Sequence, residues 1–258
     1  MSNLMISPWS LVISFVLVLI AMAISQKEKL GLTKEIFWSI FRMVVQLIIV
    51  GYLLTAIFEV DSFWVTLASI IIMVVNAAWN ASRRAKGLTN AFKYSLIALF
   101  LSVAVTLSIL VLSGAINFVP SQVIPINGMI IGNGMNVMGL SFRNLENQFY
   151  SNRQEVQEKL ALGANKKQAS KPIITEAIKG SLQPTLDTTK TVGLVALPGM
   201  MTGLIIAGVD PMDAIMYQIL VYFMLMSAAS IASVVGVYFS YHEYFTNYGQ
   251  LIVRPRQE

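Results

Sequence analysis

The sequence predicts an all-α fold: a polytopic membrane helix bundle of about seven transmembrane helices, in a single domain over residues 1–258. Hydrophobic residues make up 56% of the chain and charged residues only 12%, whereas soluble domains carry about 25% charged residues. Apolar runs of about 20 residues, enough for a helix to cross a bilayer, recur along the whole chain. The gaps between them are short except for residues 143–186, so no separate soluble domain is expected.

Seven apolar segments are the candidate spans. They lie at residues 8–25, 36–58, 62–80, 94–113, 123–142, 188–207 and 214–240. The first has neither a basic region before it nor a small-residue cleavage site after it, so it is predicted to be a membrane helix rather than a signal peptide. In the sixth, Pro198 and Gly199 predict a kink and hence a moving element. Asp187, where this segment opens, suits a helix N-terminus by capping and by the helix dipole.

The basic residues predict the orientation of the chain. Because consecutive spans alternate in direction, the gaps between them fall into two sets. Sixteen of the 18 Lys and Arg residues lie in one set, made of the gaps 26–35, 81–93, 143–187 and 241–258. The positive-inside rule places this set in the cytoplasm, with the N-terminus outside and the C-terminus cytoplasmic, in a plasma or inner cell membrane. Topology thus explains the net charge of +5, and no nucleic-acid partner is expected.

Several classes of activity lack the residues that they need. No Gly-x4-Gly-Lys-[Ser/Thr] motif is present, so any ATP and Mg²⁺ must be bound by another polypeptide, and no cofactor is expected in this chain. The absence of cysteine excludes thiolate metal sites and cysteine nucleophiles. The single histidine, His242, precedes Glu243 beyond the last span, and the two are interpreted as an interfacial pair. No catalytic residue is predicted, and the metal ligands are unknown.

Residues 143–186 predict two amphipathic helices in the cytoplasm. The fifth span is expected to continue out of the membrane, because apolar residues recur at helical spacing among charges. Gly163 provides a helix stop and Asn165 a cap for the next helix. Pro172 suits the first turn of that helix, and Pro184 is expected to end it. The pair could lie on anionic membrane lipid or dock on a cytoplasmic partner, and the sequence leaves both open.

The fifth span combines glycine and asparagine at membrane depth, in the stretch "IPINGMIIGNGMN" at 124–136. On a helix, three glycines form a seam along which a neighbouring helix can approach closely: Gly128, Gly132 and Gly139. Asn133 and Asn136 lie beside this seam with Met129, and neither asparagine can face lipid without a partner. They therefore either form interhelical hydrogen bonds or line a substrate pathway with Met129.

Four segments carry a resemblance to a known family: "NGMIIGNGMNVMGLSFRNL", "EKLALGANKKQA", "ITEAIKGSLQPTLDTTKTVGLVALPGMMTGLIIAGVDP" and "AIMYQILVYFMLMSAASIAS". Together they resemble the FetB-type ABC transporter permeases, a bacterial family linked to iron export, with plant relatives linked to aluminium tolerance. The resemblance implies a permease subunit rather than an enzyme, paired with a separate ATPase that binds ATP and Mg²⁺. It also implies metal export, with iron as the first substrate to consider. A homodimer is expected, because seven helices are too few to enclose a wide path. The alternative is an ATP-independent secondary carrier or channel.

The segment "EKLALGANKKQA" is similar to the cytoplasmic coupling loop of ABC permeases. The importer pattern Glu-Ala-Ala-x3-Gly is met only in part, because Gln157 stands six residues before Gly163. The residues that this resemblance assigns to contact with the ATPase are Glu155, Glu158, Leu160, Leu162, Gly163 and Ala164.

The charge distribution makes a direct prediction about topology. A reporter fused after Glu258 should be cytoplasmic and a tag placed before Ser2 external, because the basic gaps stay inside. Protease protection of both tags in oriented vesicles measures this, and two tags on the same side would contradict an odd number of crossings.

Overall fold

The computed structural model describes residues 7–60, 62–85 and 87–252. Within them the protein is built from α-helices and one short 3₁₀-helix, which confirms the all-α prediction. The α-helices are α1 Pro8–Ser14, α2 Val16–Lys27, α3 Thr33–Val60, α4 Phe63–Ser82, α5 Ala91–Leu112, α6 Pro120–Ser151, α7 Arg153–Ala161, α8 Lys166–Thr191, α9 Gly199–Ile206 and α10 Pro211–Ser240. The 3₁₀-helix Tyr241–Tyr244 follows α10.

Six stretches of helix among the described residues are long and apolar enough to cross a membrane. They are Trp9–Lys27, Thr33–Val60, Phe63–Ser82, Ala91–Leu112, Pro120–Ser151 and Pro211–Tyr244. The protein is therefore a multi-pass membrane protein, as predicted. The chain divides into two compact units, residues 1–60 and 61–258, and the single domain over 1–258 stays a prediction.

The first unit is a helical hairpin with apolar outer surfaces. Helices α1 and α2 together make one membrane-length stretch, and α3 follows after a short turn. In that turn Lys29 and Gly31 have positive φ angles of 51° and 73°, which reverse the chain direction. No described residue of α3 is buried, so its apolar side chains suit contact with lipid or with other protein.

The second unit is built around α4, α5, α6 and α10, and the register of these helices follows from a few contacts. Asn133 donates to the Leu225 carbonyl at 3.0 Å, and Ser141 donates to Ser233 at 3.1 Å, with the same sequence separation of 92 residues. Helices α6 and α10 are therefore parallel. Ser102 of α5 donates to the Ala228 carbonyl at 3.0 Å, and α5 runs antiparallel to both. We call the end at which α6 and α10 begin the outer end, following the charge prediction.

Two buried glycines let the helices of this core approach closely. A Cβ atom on Gly134 would lie 2.8 Å from Cδ2 of Leu99, and a Cβ on Gly236 would overlap the Met138 side chain. Both positions join α6, α5 and α10 at the centre of the apolar core, as small residues do in membrane proteins. The seam of closest approach therefore includes Gly134, which the sequence did not single out.

A second apolar cluster lies at the other end of the bundle and involves α6, α7, α8, α10 and the 3₁₀-helix. Its most distinct contact is a stack of Phe149 on Tyr244, with ring centroids 4.3 Å apart. Its buried members are Leu145, Phe149, Val156, Ala169, Ile173, Ile174, Ala177, Val237, Tyr241, Tyr244 and Phe245. Helix α6 continues through Ser151 to reach it, which confirms that the helix of the fifth span continues past residue 142.

Helix α8 differs from its predicted limits. It runs as one helix from Lys166 to Thr191, with Pro172 and Pro184 in its interior. Pro184 was predicted to end this helix, and that prediction is wrong. A proline removes one N–H donor but leaves the neighbouring turns free to continue, and the Thr188 hydroxyl donates to the Pro184 carbonyl at 2.8 Å. Asp187 consequently lies near the C-terminal end of α8, not at a helix N-terminus.

The predicted sixth span, residues 188–207, is not a continuous helix. Helix α8 ends at Thr191, residues 192–198 are irregular, and α9 has only 8 residues. Pro198 is the N-cap of α9 and Gly199 is its first residue, so the chain is interrupted here rather than kinked. The role of Pro198 and Gly199 in motion stays a prediction.

The close contact at Gly134 gives a stability test. Gly134→Val should lower the apparent melting temperature of the purified protein, because extra atoms beside Leu99 overpack the core at a cost of about 1–3 kcal/mol. Gly132→Val is the matched control, since a Cβ atom there meets nothing within 4 Å. Thermal unfolding in mild detergent measures both, and equal melting temperatures would contradict the packing described here.

Candidate functional site

The polar face of α6 holds the predicted pathway residues, but the structure gives them different surroundings. Asn133 is half-buried and donates from Nδ2 to the Leu225 carbonyl of α10 at 3.0 Å. Asn136 is exposed and accepts a hydrogen bond of 3.2 Å from Nη1 of Arg84. Met129 is half-buried and packs against the apolar core. Asn133 thus makes an interhelical hydrogen bond, as the packing interpretation required. Asn136 instead pairs with Arg84, which follows α4.

The three predicted seam glycines are also not equivalent. A Cβ atom on Gly139 would lie 2.6 Å from Cδ of Arg84, so the arginine side chain crosses α6 at this glycine. A Cβ on Gly128 would make an ordinary contact with Cε of Met73 at 3.5 Å. Nothing lies within 4 Å of a Cβ on Gly132. Gly139 and Gly128 therefore face α4 and the arginine after it, whereas Gly132 faces open space.

The predicted coupling segment forms a tight turn between α7 and α8. Gly163 has a φ angle of +89°, which only glycine adopts readily. Asn165 accepts from the backbone N–H of Gln168 at 2.9 Å while Oε1 of Gln168 accepts from the N–H of Asn165 at 3.0 Å. This reciprocal capping box starts α8. Both local predictions, the stop at Gly163 and the cap at Asn165, are confirmed.

The side chains of this turn divide into a packed base and an exposed tip. Leu160 and Ala164 are half-buried against the second cluster, whereas Leu162 is 87% exposed. Glu155 is paired with Lys159 and Glu158 accepts from Gln154, and both carboxylates are on the surface. Of the predicted coupling residues, Leu162 is therefore the apolar side chain available to a partner.

The apolar face of α8 is covered by the protein's own helices. Ile173, Ile174 and Ala177 are buried in the second cluster, and Nζ of Lys166 donates to the Thr246 carbonyl at 2.8 Å. Neither lipid nor a partner can bind this face while it is packed in this way. The helix pair is thus fixed to the bundle and presents its turn, rather than its apolar face, to the surroundings.

Glu243 has a structural role that the sequence did not reveal. It accepts hydrogen bonds from the backbone N–H groups of Thr89 and Asn90 at 2.6 and 3.0 Å, from Asn90 Nδ2 at 2.7 Å and from the Tyr94 hydroxyl at 3.0 Å. The carboxylate therefore caps the N-terminus of α5 and ties it to the end of α10. The interpretation of His242 and Glu243 as an interfacial pair stays a prediction. Thr89 and Asn90 are residue types that often precede a helix. No neighbouring residue, however, indicates that they bind the carboxylate of Glu243, which is 153 residues from Asn90 in the sequence.

Three buried serines join α6, α8 and α10. The Ser233 hydroxyl lies 3.1 Å from the hydroxyl of Ser141 and 2.7 Å from that of Ser181. All three side chains are fully buried, so the hydroxyls satisfy one another and nearby carbonyls away from lipid. This serine cluster marks the level at which α8 meets the transmembrane core.

No group of three or more His, Asp and Glu side chains close enough to share a metal ion is found among residues 7–60, 62–85 and 87–252.

Comparison with known proteins places this arrangement in a family. The model of the uncharacterised protein family UPF0014 matches residues 8–245. The probable iron export permease protein FetB of Escherichia coli is 50% identical over 244 residues, which are 95% of this chain and 94% of that protein. The membrane protein YjkA of Bacillus subtilis is 38% identical, over 94% of this chain and 97% of its own. The protein ALUMINUM SENSITIVE 3 of Arabidopsis thaliana is 36% identical, over 92% and 87%. No solved structure matches.

The roles of Asn133 and Asn136 in α6 can be distinguished by experiment. Asn133→Leu should destabilise the purified protein by about 0.6–2 kcal/mol, because it removes an interhelical hydrogen bond to Leu225. Asn136→Leu should change stability less, since Asn136 is exposed and accepts its hydrogen bond from the long side chain of Arg84. Unfolding in mild detergent measures both. A larger loss for Asn136→Leu would contradict these contacts.

Proposed function

Because the chain belongs to the uncharacterised protein family UPF0014, we propose that it is the membrane permease subunit of an ATP-driven metal exporter, with iron as the first candidate substrate. It works as a homodimer with two copies of a separate cytoplasmic ATPase, which binds ATP and Mg²⁺. The name of the Escherichia coli relative, a probable iron export permease, supports this substrate and this direction of transport. The absence of a Walker-type loop from the sequence supports a separate ATPase.

The observation that carries this proposal is the exposed turn at Leu162 on a firmly packed base. An apolar side chain that is 87% exposed, on a turn held by Gly163 and by the capping box of Asn165, is preorganised to enter a groove on a partner. Leu160 and Ala164 beside it are half-buried, so Leu162 is the exposed large apolar side chain of the turn.

Helix α8 supplies the mechanical connection. It begins three residues after Gly163 and extends for 26 residues, or about 39 Å at 1.5 Å per residue. Its buried Ser181 contacts Ser233 of α10, which also contacts Ser141 of α6. A displacement of the turn by the ATPase therefore reaches the core through one continuous helix. The interruption at residues 192–198 lets α9 respond separately.

Purification of the tagged chain from its native host in mild detergent tests the ATPase partner. We expect a nucleotide-binding subunit in a one-to-one ratio and a lower iron content in cells that carry the chain than in cells that lack it. A chain that purifies without an ATPase, and still exports metal in vesicles without ATP, would instead be the ATP-independent carrier.

The docking turn makes a specific prediction about the complex. Leu162→Asp should weaken binding of the ATPase about tenfold or more, because a buried apolar anchor is worth about 2 kcal/mol or more at an interface. Thr175→Asp is the control, since it adds the same charge at an exposed position of α8, away from the turn. Pull-down titration measures binding, and detergent stability confirms folding. Unchanged binding of the Leu162→Asp variant would contradict docking at this turn.

A further inference from the structure

Helix α8 carries an ion pair whose position in the membrane the sequence did not predict. Nζ of Lys190 lies 3.7 Å from Oδ1 of Asp187, and the two side chains are 68% and 57% exposed. Nε2 of Gln183 also donates to Oδ1 of Asp187 at 2.7 Å. Exposed polar side chains thus extend over the last two turns of α8. The sequence predicts these residues at the cytoplasmic end of a span.

Two contacts give the direction of α8 relative to α10. Near the start of α8, Lys166 bonds to the carbonyl of Thr246, and further along Ser181 bonds to Ser233. Helix α8 is therefore antiparallel to α10 and runs towards the outer end. Asp187 lies six residues beyond Ser181, or about 9 Å further at 1.5 Å per residue. This places it near the level of Ser227 on α10.

That level is inside the apolar part of the bilayer. Helix α10 begins at Pro211, and about 20 residues of helix cross the hydrocarbon core. Ser227 is about 24 Å from Pro211 along the helix, at 1.5 Å per residue. A straight continuation of α8 past Pro184 would place Asp187 within the hydrocarbon layer, with Lys190, one turn further on, nearer to its middle.

Charged side chains at this depth cannot face lipid. A charge at the centre of a membrane helix costs about 2.5–3.5 kcal/mol even on insertion scales, so such residues face protein or a water-filled cavity. The segment that follows α8, placed by the same extrapolation, agrees with this conclusion. Residues 192–198 are irregular and Leu194 is 90% exposed, yet irregular backbone at membrane depth occurs only against protein or water.

We propose that Asp187 is the cation-binding carboxylate of a water-filled path along α8, and that Lys190 is its counter-ion when the path is empty. This inference rests on the proposed function and names the ligand of the exported metal. A carboxylate, held here by Nε2 of Gln183, is a hard oxygen ligand, suited to a hydrated divalent cation. An arriving cation replaces Lys190 beside Asp187.

Helix α6 forms a wall of the same path. Gly180 of α8 faces Asn144, whose Nδ2 would lie 2.9 Å from a Cβ on that glycine. Asn133 is eleven residues before Asn144, about three turns, and so lies on the same face of α6. Its Nδ2 is engaged by Leu225, and Oδ1 is the atom that can accept. Asn133 thus combines the packing role and the pathway role that the sequence left as alternatives.

Transport by the reconstituted complex of permease and ATPase tests the assignment. Asp187→Asn keeps the acceptor for Gln183 but loses the charge. We expect the rate of Fe²⁺ transport per folded molecule to fall about tenfold or more, as for loss of a charged ligand. Glu176→Gln is the matched control: Glu176 pairs with Lys179 on the same helix at the same spacing, with exposures of 54% and 66%, but lies before Ser181. It should transport at the wild-type rate.

A second measurement does not depend on transport. The sequence contains no cysteine, so Thr191→Cys places a single thiol one turn from Asp187. In proteoliposomes this thiol should react with a membrane-impermeant aqueous reagent, and Mn²⁺ should slow the reaction. In the double variant with Asp187→Asn the thiol should still react, but Mn²⁺ should no longer slow it. An unreactive thiol, or equal slowing in both variants, would overturn the proposal.

The proposal and the proposed function fail in different ways. If the wild-type complex moves no Fe²⁺, both fall. If it moves Fe²⁺ and the Asp187→Asn variant moves it equally well, only the assignment of Asp187 is overturned. Because a secondary carrier would also need an intramembrane acid, transport is measured with and without ATP. ATP-independent transport that still requires Asp187 supports the carboxylate and overturns the ATPase mechanism.

Discussion

The parallel register of α6 and α10 is the constraint from which most of this structure follows. Two hydrogen bonds with the same sequence separation, Asn133 to Leu225 and Ser141 to Ser233, hold the two helices side by side in one direction. The chain between them must therefore return across the bundle. Residues 152–210 contain no membrane-length apolar helix, so α8, the irregular segment and α9 make this return together.

That return explains why one helix serves two environments. The first half of α8 packs in the second cluster, with Ile173 and Ala177 buried, and Ser181 brings it against the transmembrane core. Its second half continues past Pro184 to Asp187 and Lys190, whose side chains are exposed. One helix therefore connects the turn at Leu162 to the ion pair, with Pro172 and Pro184 in its interior.

The polar contacts of the second unit fix the register of its helices more than they raise its free energy of unfolding. A hydrogen bond within the membrane contributes modestly, about 0.6 kcal/mol on average, but an unpaired polar group there is costly. The serine cluster and the four hydrogen bonds to Glu243 therefore penalise any slip of α10 against α5, α6 or α8. Gly134 and Gly236 act with them, since their close contacts form in one register only.

The sequence by itself determined the features that depend on local composition: an all-α membrane protein, the extent of most spans, the stop at Gly163 and the cap at Asn165. Each depends on neighbouring residues, because hydropathy, backbone freedom and capping act over a few positions. Only the tertiary structure decided the place of Asp187 near the end of α8, the partners of Glu243 and the burial of the α8 apolar face. These follow from contacts between helices far apart in the chain. The segment predicted as a span at 188–207 is interrupted rather than one continuous helix, since α8 ends at Thr191 and α9 begins only at Gly199.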